Sequence, residues 1–455
     1  MRRFAIICTE NPGATEKRAV AILSELLLNI NLEYPICLSK QDALPEDYTP
    51  IVFTFNDGGD PLSYPEEYRI TVKDEKITVC GHDEGGILYG AIDLYQIYLN
   101  PIFYIDATNN GRKRFDEPMK DFSRTSRPSV RERGIWTWGH VIYDYRGFID
   151  NMVKLKMNSI IIWNDFVPYN IDEIIDYAHA SNISVILGYP WGWDQRCKEL
   201  SLSSLEGLGK RIYERFIKEF SHLNIDGIYF QTITELNEDN LEGVIVAEAI
   251  TNFVNDTVSL FYSSHPDLLI EFGLHATSVK NRLEFLTKVD KRVRIVWEDF
   301  GAMPFAYNAN DVENYEETKA LAMRCATLRG EDDAYGVVTK SVCCLDWSEF
   351  THPKGAQNIG VSSSVVKENR IARKRRVMRL STAGWLLNGE KALDTVRALV
   401  DLKSGDLSVN ALVEDGMFET RIPYSVALFA EMLWDSEADY RDIVKRVSLV
   451  DHVEF

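Results

Sequence analysis

The chain has 455 residues, 45% of them apolar and 26% charged, which suits a large core in one barrel-sized unit plus a partner and excludes a disordered chain. Its 69 Asp and Glu against 50 Lys and Arg leave a formal net charge of -19, which repels polyphosphates and anionic lipid. Nucleic acid and membranes are therefore not expected partners, and no apolar run approaches the roughly 18 residues needed to span a bilayer.

The N-terminus, MRRFAIICTENPG, turns polar at Thr9 and Glu10 after an apolar stretch too short for a secretory signal. The seven cysteines are odd in number, scattered and without CxxC spacing, so free thiols in a reducing cytoplasm are expected.

Residues 1–122 predict a small α/β accessory unit. RRFAIICT, PIVFTF, YRITV and KITVCG read as strands, with helices from Ala14 to about Asn29 and from near Glu84. Gly85 and Gly86 open the second helix. With no GxGxxG and no GK[ST], strand-to-helix packing is favoured there over a phosphate site. Residues 109–129 are polar, carry two prolines and read as a linker.

From there to 455 the pattern repeats: an apolar strand, a polar or aromatic strand end, then an amphipathic helix. Strands are expected at RGIWTW (133–138), NSIIIWND (158–165), ISVILGYP (183–190), IDGIYFQ (225–231), DLLIEFG (267–273), VRIVWED (293–299), YGVVTKSVCCLD (335–346) and STAGWLLNG (381–389). Eight such units predict an α/β fold with a (β/α)8 TIM barrel at 123–455, a doubly wound open sheet being the rival. The basic stretch KENRIARKRRVMR (367–379) reads as the solvated face of a helix.

Active sites of such barrels lie at the C-terminal ends of the strands, so the residues just past each apolar run are the candidates. The first strand ends in Trp136, Trp138 and His140, and the second in Trp163, Asn164 and Asp165. The third runs into Tyr189, Trp191, Trp193 and Asp194, and the fourth into Gln231, Thr234 and Glu235. His275 follows the fifth, Trp297, Glu298 and Asp299 close the sixth, and Lys340, Asp346 and Trp347 follow the seventh. All nine tryptophans lie at or after position 136, and seven are in this set. Aromatic rings with a few directed polar groups suit a sugar, whose C–H faces stack while its hydroxyls need partners.

His140, His275 and His352 sit near different strand ends without HxH or HExxH spacing, so no metal and no cofactor are expected. Nor is there a GxSxG for serine chemistry. Carboxylates remain. Glycoside hydrolysis needs a protonated acid and a second carboxylate as base or nucleophile. Glu235 is the candidate acid, because Ile233, Leu236 and nearby tryptophans would desolvate it; Asp299 and Asp346 are candidates for the second role. A uronic acid would need a cation, and Arg133, Arg196 and Lys340 lie near strand ends, where structural salt bridges compete for them.

On IDGIYFQTITE, WEDFGAMPF and SVALFAEMLWDSEADYRDIVKRV, the sequence resembles the family 67 α-glucuronidases and, more distantly, the family 20 β-hexosaminidases. The first family 67 motif ends in Ser-Glu, so the resemblance makes Glu235 the general acid with Thr234 in place of serine; the second points to Asp299. GHDEGGILYGAIDLYQ is similar to the accessory domain both families place before the barrel. The resemblance implies an exo-acting, inverting hydrolase of short oligosaccharides. Two departures stand against it: KSVCCLDW has no counterpart of family 67's glutamate on strand seven, where Asp346 is the substitute, and that family's long helical C-terminal domain has no counterpart here. Thr234 occupies the position of the family 20 aspartate that orients the acetamido group. A sugar-binding barrel without hydrolysis and a metal-dependent sugar isomerase are the alternatives of other classes.

Overall fold

The computed structural model describes residues 2–31, 33–101, 118–192, 201–233, 240–275, 279, 281–298, 315–340, 342, 353–403, 406–413 and 417–454. A six-stranded sheet comes first, in the order Ile36–Leu38, Arg3–Ile7, Tyr48–Thr54, Lys76–Gly81, Tyr68–Lys73, Phe122–Ser126. Tyr68–Lys73 and Lys76–Gly81 form a hairpin whose turn residues Asp74 and Glu75 take φ of 50° and 60°, as mirror-image two-residue turns require. Phe122–Ser126 falls in the stretch read as a linker, yet pairs antiparallel with Tyr68–Lys73.

Helices Ala14–Asn31 and Glu84–Asp93 belong to this unit and pack their apolar positions into its core. The glycine-opened helix carries its own cap. Asp83 accepts from Gly86 N at 2.8 Å, and the Glu84 carboxylate accepts from Gly13 N at 2.8 Å. A Cβ on Gly86 would collide with the Glu67 carbonyl, so close backbone packing accounts for the glycine.

Eight parallel strands then close into a barrel: Glu132–Trp138, Ser159–Trp163, Ser184–Gly188, Gly227–Phe230, Leu269–His275, Val293–Glu298, Tyr335–Thr339 and Leu407–Leu412. The first seven coincide with the predicted runs. The eighth does not: STAGWLLNG lies inside a helix of 39 residues, Ser364–Leu402, and the closing strand is LSVNAL. The helix also carries the basic stretch, with Arg373, Arg375, Arg376 and Arg379 lying along it and Lys367 2.8 Å from Asp144.

The accessory unit docks on the N-terminal end of the barrel. Glu66 takes Arg133 Nη2 at 2.6 Å and the amides of Asn158 and Asn182 at 3.0 and 2.8 Å, all three donors standing at the beginnings of barrel strands. Deeper in the interface, Lys156 Nζ lies 2.8 Å from Asp93 and 3.3 Å from Glu431. Trp434 packs there against Tyr68 and Tyr89, with centroids at 5.9 and 5.5 Å. This docking leaves the C-terminal ends of the strands to other work. Arg133, considered above as a cation for an acidic sugar, belongs to this opposite end. Among the described residues no helix is long and apolar enough to cross a membrane.

Candidate active site

Strand residues alternate between the helix layer and the barrel interior. Ile135, Ile160, Ile228, Ile295, Val337 and Val409 join the main core under the helices. Trp136, Trp138, Ile161, Trp163, Ile186, Tyr229, Val296 and Val338 form a separate cluster, which is the interior. Its floor, near the strand starts, is polar: Arg294 Nη1 bridges Glu132 and Glu271 at 2.8 Å each. Burial pushes the Glu271 carboxyl up to about 7 even beside Arg294.

Above that floor lies an aromatic layer. Trp136 stacks on Trp163 with centroids 6.3 Å apart, while Trp138 meets Trp136 edge-on at 5.0 Å and Trp163 at 5.8 Å. Tyr229 completes the set, edge-on to Trp136 at 6.0 Å and to Trp163 at 6.2 Å. Such edge-to-face packing fixes the rings beyond what area burial alone does. A Cβ on Gly188 would run into the Trp163 ring, so glycine on the third strand makes room for it.

At the strand ends a polar group stands on this layer. Glu298 Oε1 accepts from the Tyr229 hydroxyl and from Gln231 Nε2, the latter at 2.6 Å. His275 Nε2 lies 3.4 Å from Glu298 Oε2. Burial and the neighbouring Glu298 raise the Tyr229 phenol well above its ordinary range, so it stays protonated and donates.

The structure thus gathers Trp136, Trp138, Trp163, Gln231, His275 and Glu298 from strands one, two, four, five and six. His140 stands beside Trp138, ring centroids 6.2 Å apart. Lys340, buried, follows strand seven in the register of Val338. Asn164 is committed to its own turn, donating to the Phe166 carbonyl at 2.5 Å, and the Asp165 carbonyl accepts from Arg215.

Two of the expected pocket tryptophans are on the other side of the sheet. Trp191 stacks on Phe230 at 3.8 Å and on Phe261 at 5.2 Å, in the helix layer. Trp297 belongs to the same outer core, because its neighbours Val296 and Glu298 point inward. Glu235, Asp299 and Asp346, with Trp193, Asp194, Arg196, Thr234 and Trp347, lie outside the described residues. Tyr229 is the site residue that the strand-end reading missed. Its signal was parity, two positions before Gln231 on one strand. Among the described residues no group of three His, Cys, Asp or Glu side chains could hold a metal ion.

No family model and no curated protein matches the chain. Solved structures do. The chain is similar to a β-N-acetylhexosaminidase from Bacteroides fragilis NCTC 9343 at 14% identity and a TM-score of 0.55, covering 98% of this chain and 90% of that one. A Flavobacterium johnsoniae chitobiase matches at 14% identity and a TM-score of 0.56, over 98% of this chain and 69% of that one. A glycoside hydrolase family 138 enzyme targeting pectin rhamnogalacturonan II matches at 11% identity and a TM-score of 0.54, over 97% of this chain. The chain spans about half the length of that enzyme, 52%. Likeness at these identities establishes a shared fold, an accessory sheet followed by a TIM barrel.

Proposed function

We propose that the protein is an exo-acting glycoside hydrolase that takes a short oligosaccharide at the C-terminal mouth of the barrel. One observation carries this reading: tryptophans from strands one and two and a buried Tyr229–Gln231–Glu298 group with the partly exposed His275, from strands four, five and six, converge at the barrel end where this fold does chemistry. The similar solved structures named as glycosidases support the reaction class. A floor of rings topped by directed polar groups matches a ligand with apolar faces and many hydroxyls.

In this reading Glu235, at the end of strand four, protonates the leaving oxygen, and Asp299 or Asp346 serves as the second carboxylate. A family 67-like α-glucuronidase action with inversion is the finer proposal, and buried Lys340 is the cation that favours an acidic sugar. The hexosaminidase and chitobiase names among the similar structures favour an N-acetylhexosaminide as the second reading. Thr234, in place of the substrate-orienting aspartate, counts against it. A cytoplasmic location follows from the free-thiol reading of the cysteines.

A screen of nitrophenyl uronides, hexosides and N-acetylhexosaminides, with the product anomer followed by NMR, tests sugar and stereochemistry together. Release of a uronate with inverted configuration supports the first reading, and release of an N-acetylhexosaminide the second. No turnover on any glycoside rejects the hydrolase.

A further inference from the structure

We infer that Tyr229, Gln231 and Glu298 form a buried relay that positions His275 to contact a hydroxyl of the bound sugar. This rests on the glycoside hydrolase reading and adds to it a division of labour. His275 touches substrate, while Glu298 acts through His275.

The backbone sets the pair up. His275 and Glu298 are register partners at the ends of strands five and six, so the ring and the carboxylate leave neighbouring strands at one level. The two oxygens of Glu298 have separate tasks. Oε1 receives the two donors of strand four, and Oε2 faces His275 Nε2 at 3.4 Å. With the Tyr229 ring held by Trp136 and Trp163, the carboxylate cannot swing away from the imidazole without breaking two hydrogen bonds. Gly273 supplies the space, since a Cβ there would fall on the Tyr229 hydroxyl and the Glu298 carboxylate together.

Exposure separates the roles. Tyr229 is fully buried and the Glu298 side chain 5% exposed, whereas the His275 side chain is 19% exposed, so the imidazole is the member that reaches the mouth. A carboxylate facing one ring nitrogen favours the proton on that nitrogen and orients the ring toward it. Positioning of that kind matters to turnover, because misplacing a group in an active site by about 1 Å costs up to about 10²-fold.

The test uses the full chain and two readouts. In the first, the His275 imidazole is followed by NMR against pH in the wild type, Tyr229→Phe and Glu298→Gln, the resonance being assigned with His275→Gln. The relay predicts that both variants move the His275 resonance and that Glu298→Gln lowers its titration midpoint. An unmoved resonance in folded variants overturns the relay, whether or not any glycoside is cleaved. In the second, kcat/KM is measured for Tyr229→Phe, His275→Gln and the double variant on a nitrophenyl glycoside that the wild type hydrolyses. Each single variant should lose about tenfold or more, and the double variant no more than the worse single, as expected of residues that act as a unit. Additive losses would assign Tyr229 a purely structural role and reject the relay.

Discussion

Gln231 Nε2 donates to Glu298 Oε1 across 2.6 Å, joining the fourth and sixth barrel strands over Gly273 of the fifth. The bridge exists because the intervening strand has no side chain at that position. Gly273→Ala is therefore expected to displace the Tyr229–Glu298 pair and to destabilise the fold by about 1–3 kcal/mol, as overpacking of a filled interior does. Thermal unfolding measures it. A variant as stable as the wild type, with the His275 resonance unmoved, would show that the glycine has no such role.

Trp163 is fully buried between Trp136, Trp138 and Tyr229. Trp163→Ala should cost about 3–5 kcal/mol, the usual range for deleting a large buried aromatic ring. Urea unfolding would report it as a lower midpoint with an unchanged slope. A loss below about 1 kcal/mol would mean that the interior collapses onto the space, and the ring would not be a fixed floor.

The accessory unit is held by charge as well as by rings. Lys156 is buried with Asp93 and Glu431; removing it takes from Asp93 the cation at 2.8 Å, while Glu431 keeps Arg446 Nε at 2.8 Å. Lys156→Ala is expected to destabilise by about 3–5 kcal/mol, the cost of breaking a buried pair from one side. Equal stability in denaturant would contradict the interface as described.

Glu419 is buried beside Tyr143, whose backbone N–H donates to it at 2.7 Å. Burial pushes its carboxyl from 4.5 up to about 7. The unfolded chain ionises first, so the stability this group contributes is present below pH 4.5 and is lost as pH rises to about 7. Glu419→Gln removes that loss. Its stability relative to the wild type should improve between pH 4.5 and 7 by up to roughly 3 kcal/mol, and no further above that. A difference independent of pH would contradict the burial of an ionisable group there.

Much of this architecture is legible in the sequence because short, nearly continuous apolar runs bounded by polar strand ends and turn residues mark strands buried on both faces. Seven barrel strands show that signal. The eighth, LSVNAL, hides it, because Ser408 and Asn410 stand at inward positions on the polar floor and interrupt the apolar pattern. STAGWLLNG imitated a strand because the long helix buries Trp385 while leaving Leu386 and Leu387 exposed, which puts an apolar run where a helix face should alternate. Phe122–Ser126, with polar residues at four of its five positions, pairs only at the edge of the accessory sheet and has no strong apolar signature.

For the site, strand ends located the level and parity decided the direction. Trp297 had to face the helices once Glu298 faced inward, and Trp191 followed the stacking of Phe230 and Phe261. Tyr229 escapes a strand-end reading because it lies within the strand rather than beyond it. Short-range sequence order does not reveal that its hydroxyl meets a carboxylate 69 positions later.

The central claim is a hydrolase whose acid is Glu235, and the direct measurement is the turnover of Glu235→Gln against the wild type on the best nitrophenyl glycoside. General acid catalysis contributes about 10²–10⁴, so the account predicts that kcat falls by at least about 10² while the protein stays folded. Turnover within a few-fold of the wild type would contradict it.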